Sequence, residues 1–369
     1  MQTSEHIETV VIGGGQAGLA AGYHLDKRGR EFVILDAGQR VGDGWRRHWD
    51  SLRLYSPAGH DALPGKPFPA ARHTFPGKDE LADYLEAYAR DFALPVRNGT
   101  RVHRLSHDGG RYVVECGTGT ITCDNVVVST GTFGRTPRVP GFTTALDPGI
   151  LQLHSSEYRN PKQLRDGPVL VVGASHSGGD IALEVAATHD TILCGRDTGQ
   201  IPLPWETRRL RIAFPVLWLV WGSVLSVRTP MGRKERVHAR THGAPFLRVK
   251  RADLADAGVE RVTDRVTGVR DGRPVLGEDR SVTATNVIWC TGFEQDFAWI
   301  DLPVIGEDGW PLEEHGVVAS APGLYFTGLC FQSSFRSMLV GGAGADAEYV
   351  VRHLIARSRK AGRALQKAA

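Results

Sequence analysis

Apolar residues fall along this chain in two kinds of pattern. Short uninterrupted runs at residues 9–12, 32–35, 125–129, 168–172, 191–194, 286–290 and 324–327 are rich in Val and Ile, as strands covered on both faces are. Longer stretches repeat every three or four residues. In residues 78–92, Leu81, Tyr84, Leu85, Tyr88 and Ala89 line one side of a helix, and helices are predicted up to Arg28, over 179–187 and over 345–357. Shorter strands are expected around Val102 and at 112–116. Strands alternating with helices through glycine-rich corners predict an α/β fold with parallel sheets.

One strand, turn and helix pattern occurs twice. After the first strand come Gly13, Gly15 and Gly18, with Gln16 and Ala17 opening the helix and Asp36 closing the second strand. Spacing and context are those of a dinucleotide-binding turn. The first glycine permits the tight turn, the second lets backbone approach a pyrophosphate, and the third lets helix and strand pack closely. The helix N-terminus offers unpaired N–H groups to the phosphates, and Asp36 is placed to accept from ribose hydroxyls. The second copy reads Gly173, Ser175 and Gly178, with His176 and Ser177 inside the loop. Arg196 stands where the first copy has its acid, and a guanidinium there suits the 2′-phosphate of NADPH rather than NADH. Two such units predict two dinucleotides, a resident FAD in the first and an exchanging nicotinamide in the second.

Two strand ends, at Ser129, Thr130 and Gly131 and at Thr291 and Gly292, look like points where the chain crosses between units close to a cofactor. They predict two Rossmann-like, three-layer ββα domains. The FAD-binding domain takes residues 1–145 and 286–369, and the NADPH-binding domain, 146–285, is inserted into it with a hydrophobic insertion at about 201–250. The strand at 324–327 ends at Gly328, and Gly328 and Gln332 join the expected cofactor contacts. Gly341, Gly342 and Gly344 then aim another helix N-terminus at an electron-rich group such as a reduced flavin ring.

Composition narrows this picture. Apolar residues make up 41% and charged residues 23% of 369, which excludes a disordered chain. A net charge of +3 is too even for a nucleic-acid binder. The five cysteines form no CxxC pair, so neither a metal site nor a redox dithiol is expected, and scattered thiols suit a cytoplasmic protein without a leader peptide. The longest apolar run, 212–227, would rise only about 24 Å as a helix against roughly 30 Å of hydrocarbon, so no spanning segment is expected. Trp205, Phe214, Trp218 and Trp221 lie in or beside it, with Arg208, Arg209 and Arg211 before it and Arg228, Arg233 and Lys234 after it. Three readings stand for this stretch: a core helix with basic ends, a lid over an apolar or amphipathic substrate, or an interfacial helix in peripheral contact with a membrane.

The chain as a whole resembles the single-component flavin-dependent monooxygenases, particularly the bacterial relatives of plant YUCCA-type enzymes. The resemblance rests on Gly13–Gly18, on Val41, Gly42, Gly44 and Trp45, on the run Asp50 to Pro57, on Gly173–Gly178, and on Thr291, Gly292 and Phe293. It implies a flavoprotein in which NADPH reduces FAD, O2 adds to the reduced flavin, and the hydroperoxide passes one oxygen atom to a soft nucleophile in a small-molecule substrate. It also implies that Gly44, Trp45 and backbone near Val102 contact FAD beside the first turn, while the second turn and Arg196 hold NADPH. Tyr55 and Ser56 become the candidate catalytic residues.

Two features depart from that family. Its linker fingerprint FxGxxxHxxxY/F keeps His154 and Tyr158 here but has Pro148 and Ile150 for the Phe and Gly, and Tyr158 stands where ring-expanding relatives carry Trp. Tyr55 stands where many relatives place an Asn beside the flavin. These departures keep two other readings open: a reductase passing electrons to a quinone or partner protein, and a non-catalytic FAD- and NADPH-binding sensor. No metal is implied. Oligomeric state is not legible.

Overall fold

The computed structural model describes residues 4–117, 119–132, 136–205 and 207–368, with side chains through residue 359. In chain order the elements that position the site begin with β1 (Thr9–Ile12), α1 (Gln16–Asp26), β2 (Phe32–Leu35), α2 (Lys78–Asp91), β3 (Val96–Arg97), β4 (Asn125–Val128), β5 (Leu151–His154) and β6 (Val169–Val172). They continue with α3 (His176–Val185), β7 (Thr191–Cys194), α4 (Arg208–Ser223), α5 (Pro230–Thr241), β8 (Glu260–Val262), β9 (Asn286–Trp289), β10 (Leu324–Phe326) and α6 (Ala343–Ala368).

Two parallel sheets result, as the uninterrupted apolar runs predict. The first has the order β10-β4-β1-β2-β3 and the second β5-β9-β6-β7-β8. Side chains alternate between faces. Val11, Ile34, Val127 and Tyr325 pack against Leu19 of α1, Leu81 and Tyr84 of α2 and Val350 of α6. Val10, Ile12, Val33 and Val128 face the other way, onto Leu105, Tyr112, Val114 and Ile121 of strands Val102–Asp108, Arg111–Cys116 and Gly119–Cys123. The second sheet repeats this plan. Val169, Val171, Leu193 and Ile288 meet Ile181, Ala182 and Val185 of α3, while Leu170, Val172, Val287 and Trp289 meet Leu276 and Val282 on the far side. Each buried aliphatic contributes about 1.5–3 kcal/mol, so neither sheet can slip register without exposing a whole face.

Three expectations are corrected. The first is the boundary at residue 286: β9 lies inside the second sheet, paired with β5 on one side and β6 on the other. An all-buried NVIW run reads the same in either sheet, so local pattern could not assign it. The chain rejoins the first sheet at β10, after Phe293–Glu294 has paired antiparallel with Thr136–Pro137. The second concerns α3, which starts at His176 rather than Gly179, because Gly178 and Gly179 sit inside the helix for packing. A Cβ on Gly179 would lie 2.8 Å from the Phe246 ring. The third concerns residues 201–250, which are not a core helix. They form α4 and α5, and Ile212, Val216, Leu219 and Val237 face outward. Among the described residues no helix is long and apolar enough to cross a membrane.

Candidate functional site

The first glycine turn leaves β1 at Gly13, whose φ of +111° belongs to the region that favours glycine. A Cβ there would lie 2.5 Å from the Ser129 carbonyl oxygen, and one on Gly18 would lie 1.8 Å from that of Gly13. Both glycines are packing requirements. Gly15, the N-cap of α1, differs: a Cβ on it meets nothing within 4 Å, and the same holds for Gly44, Gly131 and Gly292. The helix therefore presents bare backbone to open space. The carboxylate of Asp36 accepts from Gly14 N–H at 2.5 Å and Gly38 N–H at 2.6 Å, which anchors it over the turn. Thr100 N–H donates to the Asp36 carbonyl, so the strand that begins at Val102 starts beside this corner. Trp45 donates through Nε1 to Gln16 Oε1 at 3.2 Å, tying the Asp43–Arg46 helical turn to the start of α1. Gly328 closes on Ala17, where a Cβ would come within 2.8 Å of the alanine methyl. Thr132, which carried no sequence signal, links the ends of β4 and β10 by accepting from Cys330 N–H at 2.6 Å.

The second turn reproduces the packing. A Cβ on Gly173 would lie 2.3 Å from the Cys290 carbonyl oxygen, and one on Gly178 would lie 1.8 Å from that of Gly173. Its middle position is different. Ser175 caps α3 with its backbone, and its hydroxyl donates to the Ala244 carbonyl at 2.7 Å rather than pointing free toward a ligand. Ser177 lies in the first turn of α3, half-buried. His176 Nε2 is buried without a partner, and burial pushes the ring down to about 4, so this histidine is neutral near pH 7. Arg196 is exposed just beyond β7. Beside it, Asp197 pairs with Arg251 at 2.5 Å and with Arg261 at 3.7 Å, placing two further guanidiniums near this corner. Thr291 and Gly292 follow β9. The Thr291 hydroxyl donates to the Arg138 carbonyl, and the Gly292 carbonyl lies 3.0 Å from His154 Nε2.

Tyr55 ties the segment after the Asp43–Arg46 turn to α3. Its hydroxyl donates to Asp180 Oδ2 at 2.9 Å, its ring lies 4.7 Å from that of His176, and Arg248 binds the same carboxylate oxygen at 2.9 Å. Burial is the main cause raising both the Tyr55 phenol and the Asp180 carboxyl, with Arg248 opposing it for both. Hydrogen bonds to charged groups are worth about 1.5–3 kcal/mol, so this contact is a firm tie between the two halves of the site. Asp180 and Arg248 were missed in the sequence, although an acid set between Gly179 and Ile181 on the inner side of a helix is itself a signal.

Two candidate residues stand elsewhere than expected. Ser56 is buried and donates to Asp61 Oδ1 at 2.5 Å, so its hydroxyl points into the protein and not toward a substrate. Burial pushes Asp61 up to about 8, and its Oδ2 has no partner. Gln332 is fully buried, with Nε2 donating to Phe326 O at 3.0 Å and Oε1 accepting from Leu329 N–H at 3.4 Å. It shapes the loop after β10 and touches no open space. Polarity alone, without topology, had suggested both.

A model of the pyridine nucleotide-disulphide oxidoreductase family matches residues 10–201, the stretch that contains both glycine turns. The chain belongs to this family. Despite the family's name, no disulfide joins any of the five cysteines among the described residues of this flavoprotein. It is 34% identical over 351 residues to a CzcO-like oxidoreductase of Geobacillus kaustophilus, covering 95% of this chain and 98% of that protein. It is also 34% identical over 180 residues to the rice indole-3-pyruvate monooxygenase YUCCA1, covering 48% of this chain and 44% of that one. Among solved structures, a flavin-containing monooxygenase from Stenotrophomonas maltophilia superposes with a TM-score of 0.74 at 26% identity, covering 96% and 99% of the two chains. The flavoprotein is thus an oxidoreductase of the single-component flavin monooxygenase group, whose cofactors are FAD and NADPH. The residues present fit a dinucleotide at the first turn, because the open Cα of Gly15 and the anchored Asp36 form a cradle that side chains elsewhere would fill.

Proposed function

We propose that this flavoprotein is an NADPH-dependent monooxygenase that transfers one atom of O2 to a soft nucleophile in a small apolar or amphipathic substrate. On this reading residues 1–145 and 290–369 form the FAD domain, and residues 146–289 form an inserted NADPH domain, one strand longer than the sequence suggests. The observation that carries the proposal is the contrast at the two turn ends. Asp36 sits over the first, whereas an exposed Arg196 with Arg251 and Arg261 nearby sits at the second. The first suits ribose hydroxyls, and the second suits a 2′-phosphate.

FAD, when bound and reduced, supplies the reactivity toward O2. The protein's own residues do the rest. N–H groups at the start of α1 hold the pyrophosphate, aided by a partial positive charge of roughly half a unit. Each Asp36 oxygen keeps a second lone pair for the ribose after binding Gly14 or Gly38. At the second turn, Arg196 would hold the 2′-phosphate, and neutral His176 adds no charge at the start of α3. Tyr55, Asp180 and Arg248 lock the 52–57 segment against α3.

One observation favours a second reading. Position 55 carries a phenol in place of a side-chain amide, and its hydroxyl is committed to Asp180, a site that would suit passing electrons to a quinone or protein partner, or to O2 as peroxide. Turnover with NADPH, methyl phenyl sulfide and 18O2 separates the two. The proposal expects 18O in the sulfoxide. NADPH oxidation with all consumed O2 recovered as H2O2 selects the second reading, and a colourless protein that takes up no flavin overturns both.

A further inference from the structure

On the outer side of the site a cleft of about 180 Å³ opens between the segment that follows Tyr55 and α4. Four basic side chains line it, His60, Arg72, His73 and Arg211, and none of its lining residues is acidic. Neither Arg72 nor Arg211 makes an ion pair among the described residues. The remaining walls are apolar: Pro57 and Phe214 are buried at the floor, and Pro215 is exposed at the mouth. Arg72 and His73 also repel a proton on His60, adding to the effect of burial. Arg72, His73 and Arg211 are exposed, so they stay hydrated and together set up a positive field over the apolar floor that attracts an anion.

The mouth of this cleft continues into the outward face of α4. Ile212, Val216 and Leu219 are 73%, 63% and 64% exposed. At about 100° per residue, Pro215, Leu219, Ile212 and Val216 fall in one arc of roughly 100°, apolar from residue 212 to 219, with Arg208 one turn before it and Ser223 one turn after it in the same arc, Arg211 on one flank and Arg209 on the other. The cleft is smaller than the roughly 300–1,000 Å³ that whole small-molecule ligands occupy, so it has room for a head group and little more.

We propose that this cleft holds the anionic head of a single-chain amphiphile, such as a fatty carboxylate, with its alkyl chain along the Ile212–Leu219 stripe. Arginine forks match a carboxylate in two directions, and the stripe shelters the chain from water. This site is independent of the redox reading and is tested by binding alone. Laurate below its critical micelle concentration is titrated into the flavin-loaded full chain. Binding is followed by equilibrium dialysis and by tryptophan fluorescence, since the Trp218 ring lies 4.9 Å from that of His60. One laurate per chain is expected, with dodecanol and dodecylammonium binding about tenfold or more weakly. An Arg72→Gln, Arg211→Gln double variant should lose laurate affinity by about the same factor while flavin content and Tm stay unchanged, because both side chains are exposed. Equal affinity for dodecanol, or no loss in the double variant, overturns the proposal. So does association with phosphatidylglycerol vesicles without binding of laurate monomer. A dimer in sedimentation velocity that Leu219→Asp dissociates, with laurate binding intact, overturns it as well by assigning the stripe to a second copy of the chain.

Discussion

The two glycine turns are alike where they pack and unlike where they bind. Gly18 and Gly178 would each place a Cβ 1.8 Å from a backbone oxygen, and Gly13 and Gly173 would each press on the strand end opposite, Ser129 or Cys290. These contacts are set by the joining of strand to helix and say nothing of ligand. Ligand choice sits in the other two positions. Gly15 leaves open backbone where Ser175 spends its hydroxyl on Ala244, and Asp36 faces Arg196 across the comparison. A glycine fingerprint thus identifies the corner, and the residues within and after it identify what the corner holds.

The largest effect tests the shared part. Gly18→Ala and Gly178→Ala should each destabilise the protein by about 3 kcal/mol or more, through overpacking against backbone that cannot move aside. Thermal unfolding of the two variants should show similar losses; a tolerated alanine at either turn would mean the two corners do not share one packing rule.

Next comes the tie between the halves. Tyr55→Phe removes the hydrogen bond to buried Asp180 and should cost about 1.5–3 kcal/mol in urea unfolding, with slower flavin reduction by NADPH in stopped flow. Unchanged reduction would show that the tie is structural alone.

Arg196→Gln should raise the KM for NADPH about tenfold and leave that for NADH unchanged, as measured by initial rates. Equal changes for both nucleotides would remove the 2′-phosphate from the contrast.

The smallest effect appears only below neutrality. The first turn carries Gln16 where the second carries His176, whose folded form resists protonation down to about 4. A depressed pKa stabilises the fold at pH values above the unfolded value of about 6.5, and this stabilisation is lost as pH falls toward 4. His176→Gln should therefore match the parent at pH 7.5 and lose less stability than the parent at pH 5, in urea titrations at the two pH values. Parallel curves would show that His176 does not titrate in this window.

Much of this was legible in advance, for reasons that particular residues make plain. The strands Thr9–Ile12, Phe32–Leu35 and Thr191–Cys194 appear where their apolar runs predict them, because burial on both faces demands such runs. The first turn was legible because its geometry is set within six residues. Ser56 and Gln332 misled because a hydroxyl or amide near a glycine loop looks the same whether it turns toward Asp61 and Phe326 or toward a ligand. Asp180 and Thr132 went unread because each acquires its role from a partner more than a hundred residues away in the chain.

Local sterics and burial periodicity were therefore enough to specify the strands, both glycine corners and the opposite charges at their ends, since each depends on neighbours along the chain. The fold alone assigned Asn286–Trp289 to the second sheet, brought Tyr55 onto Asp180, and turned the apolar side of α4 outward beside a cleft lined by four basic side chains. Those outcomes are contacts between distant segments, and a hydrophobic pattern records only that a side chain needs cover, not which segment supplies it.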